Sequence, residues 1–354
     1  MYELNEKIRD LVPYEPIAGE YPVRLDANES FLPLPEEVRD RIAKAAAQTA
    51  FNRYPDPLSR EVTEAFAAYY GISPELVTAG NGSDELISIL CSAFLMKGEA
   101  MMVILPDFSM YQFYASISEG RVVTCGKRED LTIDVDAVVE KAKAENVRMI
   151  VFSNPCNPTS LGLAREEVRR LIRSVEALVV LDEAYMDFWD QSLLNEVEEY
   201  DNLVILRTCS KAIGMAALRL GFAVSSPRLT RVLRAVKSPY NVNSLSQAVG
   251  TLVLGEREWE QQARAQIVES RQSLQKTLVR MQEEHPGTFS LYESCTNFVF
   301  LKTDRAESIF RGLLQRGIAI RHMGGYLRVT AGNEEENAAF LRAFGELIAE
   351  EETQ

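Results

Sequence analysis

Three apolar, strand-like runs in this sequence each lead to a residue that can take part in chemistry. Asn157 follows the first run. Asp182 ends the second run, and Tyr185 comes three residues later. Lys211 follows the third. Open α/β sheets gather reactive groups at the carboxyl ends of their strands. We therefore expect an amine, an acid with a phenol, and an amide to meet at one edge of a sheet.

This combination suits the cofactor pyridoxal 5′-phosphate (PLP), which a lysine amine holds covalently while an acid faces the ring nitrogen. Lys211 would hold the cofactor, and Asp182 would keep the ring nitrogen protonated. Tyr185 and Asn157 would form hydrogen bonds with the 3′-oxygen of the ring. Taken singly, these residues also suit a surface lysine, an exposed acid and ordinary turns. Their agreement in order and strand position favours the cofactor.

A segment of small residues precedes an apolar helix that is predicted to begin near Leu86. The N–H groups at such a helix start can bind an anion at the positive end of the macrodipole. A plain helix cap formed by Ser83 or Asp84 is the alternative. Tyr111 is predicted to cover one face of the ring, with a core aromatic as its alternative. The other predicted cofactor-binding residues around the phosphate are Gly82, Ser83, Asp84, Ser210 and Arg219.

Composition argues against several other classes of protein. The 354 residues carry a net charge of 38 − 52 = −14, which disfavours binding to nucleic acid. Two histidines cannot supply a multi-histidine metal site, so no metal is predicted. A dinucleotide fingerprint from Gly80 fails because Glu85 stands where a third glycine is needed. Five scattered cysteines without a CxxC pair, no signal-like start and no long apolar stretch predict a cytoplasmic protein with no membrane span.

The order of the predicted elements indicates an α/β fold with two domains. From 75 to 240, unbroken apolar strands alternate with helices, which predicts a mainly parallel sheet covered on both faces. After Tyr240 comes a long helical stretch, about 244–283, and then short strands with two helices, which indicates a smaller α+β domain. The predicted boundaries are 1–44 for an N-terminal arm and part of the small domain, 45–240 for the large PLP-binding domain, and 241–354 for the small C-terminal domain.

The sequence resembles the fold-type I PLP-dependent aminotransferases, and among them the histidinol-phosphate aminotransferases. The matching motifs occur in family order over nearly the whole chain. They are LDANE at 25–29, RYPD at 53–56, NGSDE at 81–85, NPT at 157–159, DEAY at 182–185, SKA at 210–212, LRLG at 218–221, PYNVN at 239–243 and LRVT at 327–330. The resemblance implies the aspartate aminotransferase-like fold, with a mainly parallel sheet in a large domain and a smaller α+β domain.

The resemblance also implies a homodimer with shared active sites. Tyr54 matches a tyrosine that reaches the cofactor phosphate of the neighbouring subunit. Arg328 matches the arginine that pairs with the substrate carboxylate or its surrogate. Tyr14 and Arg321 match positions near a substrate phosphate, and Asn28 is a further predicted substrate-binding residue.

The implied reaction is a transamination between a small-molecule amino donor and a 2-oxo acid acceptor. The expected pair is L-histidinol phosphate with 2-oxoglutarate, in histidine biosynthesis, and Lys211 would be the general base. A threonine-phosphate decarboxylase-like enzyme and an aromatic amino acid aminotransferase remain open alternatives on the same fold. Three departures from the family bear on this site: Phe108 in place of a common tyrosine, Ser160 in place of glycine, and a short 322–327 loop where side-chain specificity is set.

Overall fold

The structure is a computed structural model, and it describes residues 2–13, 15 and 17–349. The helices are α1 (Glu6–Arg9), α2 (Glu36–Gln48), α3 (Arg60–Tyr70), α4 (Ser83–Phe94), α5 (Met110–Ile117), α6 (Val135–Ala144), α7 (Arg165–Ser174), α8 (Pro227–Val236), α9 (Ser244–Leu254), α10 (Arg257–Glu284), α11 (Ala306–Gln315) and α12 (Glu334–Ala349). The strands are β1 (Val23–Arg24), β2 (Val77–Gly80), β3 (Ala100–Leu105), β4 (Arg121–Gly126), β5 (Val147–Ser153), β6 (Leu178–Asp182), β7 (Leu203–Thr208), β8 (Gly221–Ser225), β9 (Ser290–Leu291), β10 (Phe298–Lys302), β11 (Ile318–Ala319), β12 (Arg321–Met323) and β13 (Tyr326–Thr330).

A seven-stranded sheet with the order β2-β8-β7-β6-β5-β3-β4 forms the centre of the larger half. The pairs from β7 to β4 are all parallel, whereas β8 is antiparallel to both β7 and β2. Every residue of β7 and β8 is buried, as expected of strands covered by helices on both faces. The predicted α/β fold with a mainly parallel sheet is confirmed, and the reversed strand β8 is a feature that the apolar pattern did not reveal.

The register of the sheet brings the ends of β5, β6 and β7 to the same edge. Ser153, the last residue of β5, lies beside Asp182, which in turn lies beside Leu206 of β7. The three neighbouring strands β5, β6 and β7 therefore end at nearly the same level of the sheet. The loops that carry Asn157 and Lys211 begin there, so the strands set the positions of the candidate chemical groups.

A second, four-stranded antiparallel sheet with the order β12-β13-β10-β9 forms the smaller half. It packs with α11, α12 and part of α10 around a core of its own, to which Leu274 and Leu278 of α10 contribute. The two-residue strand β1 pairs in parallel with β11, so the chain near Val23 joins this smaller half.

The long helical stretch predicted for about 244–283 is divided into two helices. α9 ends at Leu254 and α10 begins at Arg257. Val249 and Val253 of α9 belong to the core of the larger half, which therefore extends past residue 240. The boundaries at 44 and 240 stay proposals, and we propose moving the second one into α10. Within the described ranges, no helix is both long and apolar enough to span a bilayer.

Candidate active site

The carboxylate of Asp182 ends β6 and is buried. Its Oδ2 accepts a hydrogen bond from the hydroxyl of Tyr111 at 2.7 Å, and its Oδ1 accepts one from the N–H of Ala184 at 3.0 Å. Burial raises the pKa of Asp182 to about 6. The ion pairs that the described residues form leave this carboxylate without a cation. A buried acid in this position suits a protonated ring nitrogen.

Lys211 and Tyr185 lie close to each other, beside the N-terminal segment that contains Ala27 and Asn28. Nζ of Lys211 donates a hydrogen bond to the carbonyl of Ala27 at 3.1 Å and lies 5.8 Å from the ring centroid of Tyr185. The Tyr185 hydroxyl accepts a hydrogen bond from Nδ2 of Asn28 at 2.8 Å. Asn28 was predicted to bind substrate, but its side chain is buried and its amide holds Tyr185. The geometry therefore supports a positioning role for Asn28.

The backbone of Asn28 explains why that residue can reach Tyr185. Its φ is 54°, in the left-handed region that asparagine tolerates better than most residues. The N–H of Asn28 donates to Oγ1 of Thr330 at 3.0 Å, and Nδ2 of Asn297 donates to the Asn28 carbonyl at 3.1 Å. These bonds join the N-terminal segment to the smaller half at the edge of the site.

Arg328 crosses from the small sheet to the loop that follows β5. Its Nη1 donates to Oδ1 of Asn157 at 2.5 Å, and its Nη2 donates to the carbonyl of Asp26 at 2.6 Å. The guanidinium carbon lies 5.4 Å from the ring centroid of Phe298. These contacts place the predicted substrate arginine directly beside the predicted ring-contacting amide.

The N-terminus of α4 forms a cradle that an anion fits. Its N-cap is Gly82, with a φ of 83°, which offers no side chain to the first N–H groups of the helix. The alternative of a cap by Ser83 or Asp84 therefore does not hold. A Cβ on Gly221 would lie 2.4 Å from the nitrogen of Ser83, so β8 packs directly against the cradle. Uncapped N–H groups at the start of a helix are a ready binding site for phosphate.

Arg219 closes the side of this cradle. Its Nη2 lies 3.5 Å from Oδ2 of Asp84, and its Nη1 lies 3.5 Å from Oγ of Ser210. The same guanidinium would contact a Cβ on Gly82 at 2.9 Å. The structure thus brings the residues predicted around the phosphate together, with an exposed cation at the mouth of the cradle.

The ring of Tyr111 has no solvent exposure, and its hydroxyl donates its hydrogen bond to Asp182. A ring without exposed surface has no free face for a cofactor, so we propose that Tyr111 supports the acid rather than covering the ring. Phe108 precedes it by one turn, is only partly buried and contacts the Tyr111 ring edge-on at 5.5 Å. We propose that Phe108 covers the ring face instead.

Tyr54 lies on the exposed surface, whereas Arg321 borders this cluster. Tyr54 is 81% exposed, and its ring stacks on Tyr240 with centroids 4.6 Å apart. Arg321 lies on β12 directly opposite Arg328 of β13. Tyr14 is outside the described residues.

A buried ion network behind the site escaped the sequence analysis. Arg207 pairs with Glu183 at 2.8 Å and with Asp187 at 2.7 Å, and all three side chains are almost completely buried. The Tyr70 hydroxyl donates to both oxygens of Asp187 at 3.0 Å. Glu183 directly follows Asp182, so the network fixes the loop that carries the acid. The sequence signal that could have revealed this network is a pair of charged residues on apolar runs: Glu183 directly follows one run, and Arg207 lies within another.

Comparison with known proteins agrees with this geometry. Residues 21–344 match the model of the family described as aminotransferase class I and II.

The chain belongs to this aminotransferase family.

Two relatives of this aminotransferase are histidinol-phosphate aminotransferases. The one from Clostridium novyi is 38% identical over 338 residues, with 94% of each chain covered. The one from Clostridium kluyveri is 37% identical over 349 residues, covering 97% of this chain and 98% of the relative. The crystal structure of histidinol-phosphate aminotransferase from Sinorhizobium meliloti, in complex with pyridoxal-5′-phosphate, superposes with a TM-score of 0.87 at 23% identity, covering 99% of this chain and 98% of the other.

The protein is therefore a PLP-dependent aminotransferase, and its residues fit the cofactor. The uncapped start of α4 with Arg219 suits the phosphate. The buried Asp182 suits the ring nitrogen, because a cation beside it would offset the cost that burial imposes on its charge. Lys211 lies near the same sheet edge, within reach of the Tyr185 ring.

Proposed function

We propose that this aminotransferase transfers the amino group of L-histidinol phosphate to 2-oxoglutarate, with imidazole acetol phosphate and L-glutamate as products, in histidine biosynthesis. Similarity to histidinol-phosphate aminotransferases over nearly the whole chain supports this substrate. The structural observation that carries the proposal is the register of Arg321 directly opposite Arg328 on one face of the small sheet. Paired residues on adjacent strands have their side chains on the same face of a sheet, so this register sets two guanidinium groups side by side, which suits an anionic substrate.

The residues have distinct proposed tasks around the cofactor. PLP, when bound, supplies the electron-accepting ring on which amino groups are exchanged. The Nζ of Lys211 would hold the cofactor, and the same amine would accept the proton from the substrate Cα. Asp182 keeps the ring nitrogen protonated, and Tyr111 orients its carboxylate. Tyr185, held by Asn28, donates a hydrogen bond to the 3′-oxygen.

The substrate side of the proposed site depends on Arg328. Its guanidinium is fixed by Asn157 and by the carbonyl of Asp26 before any substrate arrives. A guanidinium that is already oriented loses little freedom when it pairs with a carboxylate or a phosphate. Arg328 therefore orients both substrates, and Arg321 supplies a second positive charge beside the phosphate of histidinol phosphate.

We also propose that the enzyme is a homodimer in the cytoplasm. The exposed ring of Tyr54 stacks on Tyr240, which suits a residue that another subunit covers. In this proposal Tyr54 donates a hydrogen bond to the cofactor phosphate of the partner subunit. The five cysteines are free thiols, which supports a reducing compartment.

An activity panel tests the proposed substrate. L-histidinol phosphate, phosphothreonine, phenylalanine and histidine are each incubated with the holoenzyme and 2-oxoglutarate, and glutamate is measured. We expect glutamate to form fastest from histidinol phosphate. Carbon dioxide release from phosphothreonine would identify a decarboxylase, and a preference for phenylalanine an aromatic aminotransferase; either result contradicts the proposal.

A further inference from the structure

The side chain of Asn241 connects two separate loops of the large half. Its Nδ2 donates a hydrogen bond to Oε2 of Glu85 at 2.7 Å. Its Oδ1 accepts one from Nζ of Lys237 at 2.8 Å. The preceding residue, Tyr240, has a φ of 62°, a left-handed conformation that a bulky residue adopts only when its surroundings require it. The strained turn thus serves to place both Asn241 and the ring of Tyr240.

The first arm of this connection ends at the phosphate cradle. The carboxylate oxygen of Glu85 that binds Asn241 also accepts a hydrogen bond from the N–H of Asn81 at 2.6 Å. Glu85 lies in the first turn of α4, so its carboxylate reaches back over the turn that opens the cradle. A carboxylate that accepts two hydrogen bonds on one oxygen restrains Asn81, and with it the turn that leads to Gly82.

The second arm ends at the loop of Tyr54. Nζ of Lys237 donates to the carbonyl of Pro57 at 2.8 Å as well as to Asn241, and the Lys237 side chain is only 6% exposed. Burial lowers the pKa of Lys237. The stack of Tyr54 on Tyr240 holds the other end of the same loop. Placing an ammonium group in a buried site is costly, so its bonds to these two loops are structurally important.

We propose that Asn241 and Lys237 are positioning residues that serve two cofactor sites at once. Through Glu85, Asn241 shapes the phosphate cradle of its own subunit. Through Pro57, Lys237 holds Tyr54 in the orientation in which it completes the partner's site. This inference rests on the proposed homodimer and adds a division of labour between the two arms.

Two substitutions separate the arms. Asn241→Asp keeps an acceptor for Lys237 but cannot donate to Glu85, and it sets two carboxylates against each other. Lys237→Met leaves the contact between Asn241 and Glu85 but removes the bonds from Lys237 to Pro57 and to Asn241. In each homodimeric variant we expect the dissociation constant of PLP to rise about tenfold or more, as for the loss of a hydrogen bond to a charged group. Ser238→Ala, in the same turn, cuts neither arm and is the matched control.

Mixed dimers then show which site each arm serves. One subunit carries Lys211→Ala, so only its partner can develop the visible absorbance of lysine-bound cofactor as PLP is added. Asn241→Asp should weaken PLP binding when it is in the subunit that keeps Lys211, and should have no effect in the silenced subunit. Lys237→Met should show the reverse pattern. The same substituted chain is compared in both arrangements, so a general loss of folding would not produce this reversal.

The outcomes separate this inference from the proposed reaction. If both substitutions act on the same subunit's site, or if neither changes PLP binding in a folded dimer, the division of labour is wrong. A monomer in analytical ultracentrifugation would also overturn it. None of these results depends on the substrate panel, because PLP binding is measured without substrate. Conversely, the wild-type enzyme could fail to react with histidinol phosphate while the mixed dimers show the reversal. That result would contradict the proposed substrate and leave the division of labour intact.

Discussion

The hydroxyl of Tyr111 donates a hydrogen bond to Oδ2 of Asp182 over 2.7 Å, and both side chains are buried. This bond lowers the pKa of Asp182, whereas burial raises it, and burial has the larger effect. Tyr111 therefore acts on the cofactor through the acid. Its ring lies below Phe108, which is nearer to the solvent and in contact with it.

Substitution Tyr111→Phe should weaken the acid. Without the donated hydrogen bond, the pKa of Asp182 rises further, so the acidic limb of the pH profile of kcat/KM should move to higher pH by about one unit. Tyr114→Phe, on the same helix, is the control and should leave the limb in place. An unshifted limb in the Tyr111 variant would show that the hydroxyl does not tune Asp182.

Substitution Asp182→Asn should stabilise the cofactor-free protein at neutral and alkaline pH. The pKa of Asp182 is raised from 3.8 to about 6 in the folded state. A raised pKa means that stability is fully present below about pH 4 and is lost as pH rises through about 6. The variant should therefore gain up to about 3 kcal/mol at pH 8 and nothing near pH 4.

Urea unfolding of both PLP-free proteins at the two pH values measures this gain. The same variant should lose at least about a hundredfold in kcat as holoenzyme, because the ring nitrogen has lost its anion. A variant that is no more stable at pH 8 would contradict the assignment of a costly buried charge.

Substitution Arg328→Lys should raise the KM of both substrates about 10- to 100-fold with a smaller effect on kcat. An ammonium cannot reproduce the planar fork that Asn157 and the Asp26 carbonyl orient. Steady-state kinetics with histidinol phosphate and 2-oxoglutarate measure the effect. Arg280→Lys, on the exposed face of α10, should change neither constant. Equal KM values in the two variants would remove Arg328 from the substrate site.

Substitution Glu183→Gln should destabilise the protein by about 3 kcal/mol, because it leaves part of a buried ion network unpaired. Arg207 would keep its ion pair with Asp187 but lose its ion pair with Glu183. The exposed pair of Glu307 with Arg311 offers a control, where Glu307→Gln should cost under about 1 kcal/mol. Urea unfolding of the holoenzymes compares the two. Equal losses would mean that the buried network contributes no more than a surface pair.

The chain's local pattern was enough to predict the edge where chemistry takes place. Unbroken apolar runs such as 203–206, bounded by turn signals, predict strands buried on both faces, and strands that alternate with helices predict a parallel sheet. Parallel strands end on one side of a sheet, so Asp182 and Lys211 had to lie near the same edge. The small residues before α4 fitted an anion site and also a plain helix cap, and only the tertiary structure favoured the anion site, because Gly82 is the N-cap there.

Tertiary structure alone decided which side chains support these groups. Asn28 meets Tyr185 across 157 residues of sequence, and Arg328 meets Asn157 across 171. The burial of Tyr111, the reversal of β8 and the Arg207 network depend equally on distant partners. Spacing along a chain reports the period of a helix or strand, whereas a hydrogen bond between distant segments depends on how the finished elements pack. The sequence was therefore enough to predict the chemical groups, whereas the residues that hold them in place could be identified only from the fold.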